Sequence, residues 1–90
     1  MHRQIGELIS GCKELQSELK GIPDSGHALF LKHYTTTSRE YGLRMAKLAD
    51  ILDQEDFDIY EFESNLKESD FRWLKVNLGE IKQHLKGKEL

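Results

Sequence analysis

The chain has 90 residues and a mass of 10.5 kDa, with 38% apolar residues, 32% charged residues and a formal charge of -3. That is one domain, and surface scaling at this mass buries about 64% of the unfolded surface, which builds a small core without room for a deep substrate cavity. One Pro and one Cys exclude a disulfide scaffold and a cysteine-based zinc module, and no apolar run approaches the roughly 18 residues of a membrane span.

The first predicted helix covers residues 3–21. Ile5, Leu8, Cys12, Leu15, Leu19 and Ile22 follow a 3-4-3-4-3 spacing, which gathers them with Ile9 into a sector roughly 140° wide. Gly21 and Pro23 stop this helix and Asp24-Ser25 offers a cap for the next, so an αα-hairpin is expected. The second helix, residues 26–54, crosses Thr35-Thr36-Thr37-Ser38, where Thr37 and Glu40 have capping-box spacing. Yet Phe30, Tyr34, Tyr41, Met45, Leu48 and Leu52 stay within about 60° of one another across the threonines. One helix of roughly 40 Å is therefore predicted, with Thr36 the place for a kink.

Residues 57–67 suit a short helix capped by Asp56, with Ile59, Phe62 and Leu66 turned inward. The run 57–62 also reads as extended, but the chain has no second strand for it to pair with. Ser69 caps a last helix over 70–86, where Phe71, Leu74, Leu78, Ile81 and Leu85 repeat the spacing and Gly87 ends it. The fold class is all-α, with residues 1–90 forming one domain. It is a small helical bundle with an N-terminal αα-hairpin, one long central helix, a short acidic helix and an amphipathic C-terminal helix.

Charge divides along this order. Residues 1–49 carry a balance of +2, residues 50–70 carry nine acids against Lys67 alone, and residues 71–90 carry +3. An acidic block between two mildly basic arms is the most unusual feature of the chain. On the last helix Arg72, Lys75, Lys82 and Lys86 fall within about 80° of one another, with Gly79 in the same ridge. That glycine suggests a close backbone approach. The ridge can lie against the chain's own acidic block, face solvent, or track phosphates, the last being a weak signal on an acidic chain.

Catalytic and metal chemistry find little support. His2, His27, His33 and His84 lack the close spacing of zinc ligands. Calcium-loop frames starting at Asp53 or Asp56 lack the required ligands and Gly. Glu14/Glu18 and Asp50/Asp53 have the spacing of a magnesium site but point away from the apolar stripes of their helices. Cys12 holds a core position, and Asp24-Ser25 reads as a cap and not as the modified serine of a carrier protein. No cofactor, metal or catalytic residue is expected.

The reading is a non-catalytic, cytoplasmic, protein-binding regulator: a stoichiometric inhibitor of the immunity, antitoxin or phage-encoded blocker type. Its acidic 50–63 segment would dock on a basic protein through Asp53, Glu55, Asp56, Asp58 and Glu61, with Phe57, Tyr60 or Trp73 as anchors. One alternative is a homo-oligomeric structural or adaptor protein that buries the off-stripe Leu29, Leu43 and Trp73 between copies. Another is a nucleic-acid-associated regulator that uses the ridge from Arg72 to Lys86.

Overall fold

A computed structural model of the chain describes residues 2–22 and 28–89, with side chains for 3–22 and 28–85. Among the described residues the fold is an all-α bundle of three α-helices and one 3-10 helix: α1 (His2–Gly21), α2 (Ala28–Asp53), a 3-10 helix (Ile59–Asn65) and α3 (Glu68–Glu89). No strand occurs among the described residues.

Cross-helix contacts set the directions. Glu18 lies 3.4 Å from His33, and Arg44 lies over Gly11 on the same flank of α1, so α1 and α2 are antiparallel. Lys13 meets Asp70 at 2.7 Å and Gln16 meets Trp73 and Asn77, so α3 runs parallel to α1. One end of the 44 × 31 × 19 Å molecule therefore holds the start of α1, the end of α2, the 3-10 helix and the start of α3. The other end holds the start of α2 with the ends of α1 and α3.

The helical stripes meet in a single core. Ile5, Ile9 and Cys12 from α1, Met45, Leu48 and Leu52 from α2, and Leu74 and Ile81 from α3 are fully buried. Ile59 and Phe62 on the 3-10 helix close the end of this core. Each large side chain removed from water contributes about 1.5–3 kcal/mol.

A polar cluster crosses the same interface. The Gln16 amide donates to Tyr41 Oη at 2.9 Å and to Asn77 Oδ1 at 3.0 Å, and its oxygen accepts from Trp73 Nε1 at 2.8 Å. Tyr41 Oη donates onward to Glu80 at 3.1 Å, and Asn77 donates to the Trp73 carbonyl at 2.8 Å. Gln16 thus joins all three α-helices.

The single long helix is as the sequence predicts, and several other expectations are corrected. α2 runs unbroken through the threonines: the Thr35 and Thr36 hydroxyls donate to the Leu31 and Lys32 carbonyls, each at 2.9 Å, while Thr37 is buried. The hydroxyls satisfy themselves within the helix, so no new start is needed. Phe30 and Tyr34 were expected in the core stripe but are 40% and 50% exposed. α2 outruns α1, which ends at Gly21, and all of residues 28–36 are exposed. The proposed stop at Pro23, the cap at Asp24-Ser25 and residues 26–27 of the long helix lie outside the described residues.

The short helix is 3-10 and begins at Ile59, two residues later than expected. Asp58 caps it by accepting from the Tyr60 amide at 3.2 Å. Asp56 is not the cap: it and Phe57 take left-handed φ values of 54° and 59°. Ser69 lies inside α3, which starts at Glu68, and Gly87 does not end it, because a helical glycine weakens a helix without forbidding it. Gly79 marks no close approach, since a Cβ there would meet nothing within 4 Å. The close approach is at Gly11, where a Cβ would lie 3.0 Å from Arg44 Nη1.

Two variants test this packing. Gly79→Ala should stabilise the chain by about 1 kcal/mol, because it gains helix propensity into open space, and raise Tm by roughly 4–8 °C in a thermal melt. Gln16→Ala should cost about 1–3 kcal/mol by leaving Trp73 and Tyr41 without their partner, and shift Trp73 fluorescence. An unchanged denaturation midpoint in Gln16→Ala would remove the polar cluster from the account of stability.

Candidate functional site

The segment joining α2 to α3 forms an acidic corner, and its geometry starts at the end of α2. The Phe57 amide donates to the Leu52 carbonyl at 2.9 Å, and Asp56 donates to Asp53 at 3.0 Å, which reverses the chain at once. Left-handed φ is unfavourable for any residue with a Cβ and is a clear outlier for a bulky one such as Phe. It is held because the half-buried Phe57 ring packs on the core and Lys82 Nζ sits 5.3 Å from its centroid.

This reversal leaves the acids outside. Asp53, Asp56, Asp58, Glu61 and Glu63 are exposed and Glu55 is half-buried. Among the described residues none of these six forms an ion pair. The remaining acids of the block are placed differently. Asp70 is buried against Lys13, Glu68 meets Arg72 at 3.0 Å, and Asp50 is half-buried.

The three aromatic candidates separate. Tyr60 is 64% exposed, its ring edge resting on Phe71 at 5.8 Å between centroids, with Asp58 and Glu61 beside it in the chain. Phe57 lies partly beneath the surface, under Lys82. Trp73 is half-buried in the seam between α1 and α3, tied to Gln16, and about 200° around α3 from Phe71. Tyr60 thus stands next to Asp58 and Glu61 in the chain, and Trp73 is on another face.

The basic ridge of α3 is engaged within the chain. Arg72 pairs with Glu68, Lys75 Nζ lies 4.9 Å from the Phe71 centroid, and Lys82 covers Phe57. The Lys86 side chain is outside the described residues. Lys75 and Lys82 meet aromatic rings, Arg72 meets Glu68, and none of the three pairs with the six exposed or half-buried acids of the corner, a detail that charge counting along the sequence had no means to find.

Titratable groups elsewhere show no assembled chemistry. Burial pushes the Cys12 thiol from its ordinary value of 9.0 up to about 11, partly offset by the charge of Arg44 and reinforced by Glu80. Burial also raises the Tyr41 hydroxyl from 10.0 to about 12, with the hydrogen bond from Gln16 opposing and Glu80 adding. His33 faces Glu18, and the His84 ring meets the Tyr41 ring edge-on at 6.2 Å. The side chain of His2 and all of His27 fall outside the described residues. Among the described residues no three His, Cys, Asp or Glu side chains come together as a metal site requires. Two open grooves, of about 720 and 630 Å³, flank Arg44; Asn65, Leu66 and Lys67 of the link line the first, and none of the six acids Asp53, Glu55, Asp56, Asp58, Glu61 and Glu63 lines either.

The raised pKa values set a pH dependence. The folded chain holds the Cys12 and Tyr41 protons above the pH at which the unfolded chain releases them, so their contribution is complete below pH 9 and lost as pH rises. Urea midpoints should fall between pH 9 and 11 as Cys12 titrates, and the fall should be shallower in Cys12→Ala. A thiol reagent at pH 8 should modify Cys12 only as fast as the chain unfolds; rapid labelling of the native chain would contradict its burial.

Among the described residues no helix is long and apolar enough to cross a membrane. No protein-family model matches the chain, and neither a curated protein nor a solved structure shows significant similarity to it.

Proposed function

We propose that the chain is a non-catalytic, cytoplasmic regulator that acts by stoichiometric docking, with the acidic corner as its contact surface. The observation that supports this best is the exposed Tyr60 ring on the same short segment as Asp53, Glu55, Asp56, Asp58 and Glu61, all of them exposed or half-buried. Unpaired carboxylates steer a basic partner toward the corner, and the ring supplies desolvated anchor area at its centre. The αL turn at Asp56 and Phe57 holds both in place before binding, which lowers the ordering cost. Phe57 supports the corner from below, and Trp73 serves the helix seam. An inhibitor that covers a basic site on an enzyme or toxin fits this chemistry.

The nucleic-acid alternative is weakened because Arg72, Lys75 and Lys82 already have partners in the chain. The adaptor alternative loses Trp73 from its shared face, while Leu29 and Leu43 remain exposed.

Retention of partners from a lysate of the source cells tests the reading. The wild-type chain should retain a basic protein in a salt-sensitive, equimolar complex. A chain with Asp53→Asn, Glu55→Gln, Asp56→Asn, Asp58→Asn and Glu61→Gln should lose it, and Tyr60→Ala should weaken the complex about 30-fold, the loss of one hot-spot ring. Retention unaffected by the neutralised corner would overturn the proposal.

A further inference from the structure

The end of the bundle opposite the acidic corner carries complementary chemistry. There α2 begins beyond the end of α1, and Leu31 and Tyr34 on its first two turns are 56% and 50% exposed. Lys32 and Arg39 are exposed on one face of α2, about 90° around the helix from Leu31, and neither they nor the exposed Lys20 on the last turn of α1 form an ion pair with a described residue. Glu18, an acid at this end, faces His33.

The two patches cannot meet on one chain. Leu31 and Asp53 lie on the same unbroken helix, about 33 Å apart along its axis. The chain also exposes 6216 Å², roughly 800 Å² more than a compact protein of its mass.

We propose that the acidic corner of one chain docks head to tail on the basic, apolar start of α2 in a second copy. This rests on the reading of the corner as a docking surface for a basic partner, and it names one such surface. The Tyr60 ring lies against Leu31 of the second copy, while the carboxylates face its Lys32 and Arg39. Because the two patches differ, the contact is heterologous: each chain that uses one end leaves the other open, and copies add in series. The contact is small, so association is weak and shows only at high concentration, and it fades as salt screens the charges.

Sedimentation velocity of the full chain at about 1 mM, the range in which small interfaces associate, should show species larger than monomer at low salt that dissociate at high salt. Two variants separate the halves. One carries the five corner substitutions given above; the other carries Leu31→Gln and Lys32→Glu. Each alone should be monomeric, and an equimolar mixture should give a one-to-one heterodimer and nothing larger, since one good half remains on each chain. Lys32→Glu with Arg39→Glu, which keeps every apolar side chain, provides a second version of the start variant, and circular dichroism melts verify that each variant folds. A wild-type chain that stays monomeric overturns this proposal while leaving the corner free to bind a foreign basic protein. Self-association that survives in either variant, or a mixture that stays monomeric, overturns it as well.

Discussion

Burial of apolar surface holds α1, α2 and α3 together, but it is non-directional and does not choose among registers one turn apart. In this bundle the choice falls to the side chain of Gln16. Its amide has two donor hydrogens and one carbonyl, and the three partners it meets come from α2 and α3: Tyr41, Asn77 and Trp73. Sliding either helix by a turn would leave these groups unpaired beside the core, at a cost comparable to burying a bare amide or hydroxyl. The Lys13–Asp70 pair one turn away imposes the same register on α1 and α3, and the low exposure of Asp70 makes a lone carboxylate there unfavourable.

That register determines where the charge goes. With α1 and α3 parallel and α2 antiparallel to both, the link between α2 and α3 stands at one end of the molecule. The acids of the link are crowded near the C-terminus of α2, where the helix dipole disfavours them, but also near the starts of α1 and α3, where it favours them. The link is held tight by the left-handed pair Asp56 and Phe57, which costs about 1–3 kcal/mol per residue. Packing of Phe57 on the core and the Lys82 ammonium over its ring offset that strain. The acids then have no inward direction available, and Tyr60, resting edge-on against Phe71, is left outside with them.

The same geometry removes the cations of α3 from service elsewhere. Lys75 and Lys82 lie on the faces of Phe71 and Phe57, so Phe57 of the link and Phe71 of α3 are shared between the core and the ridge. Among the described residues the exposed cations Lys20, Lys32 and Arg39 form no ion pair and lie toward the opposite end, whereas Lys47 and Lys67, which also form none, lie toward the acidic one. A chain whose sequence alternates basic, acidic and basic thus gathers most of its acidic block at one end of the bundle.

The all-α class and most of the core were legible in the sequence, since the 3-4 spacing of Ile5 to Leu19 and of Phe71 to Leu85 has only one good helical solution. The unbroken α2 followed from phase kept across Thr35–Thr37, and the stripe failed only at Phe30 and Tyr34, because a helical period carries no information about how far a neighbouring helix extends. Tertiary structure decided the rest. Gln16 and Asn77 read as ordinary polar positions until three helices met around them, and Trp73 read as an exposed anchor until Gln16 drew it into the seam. Gly79 looked like a contact point from composition alone, whereas the contact formed at Gly11 because Arg44 happened to cross there. Local periodicity is a property of the chain and its turns; which polar groups face one another is a property of the register between helices, and only the packed bundle defines it.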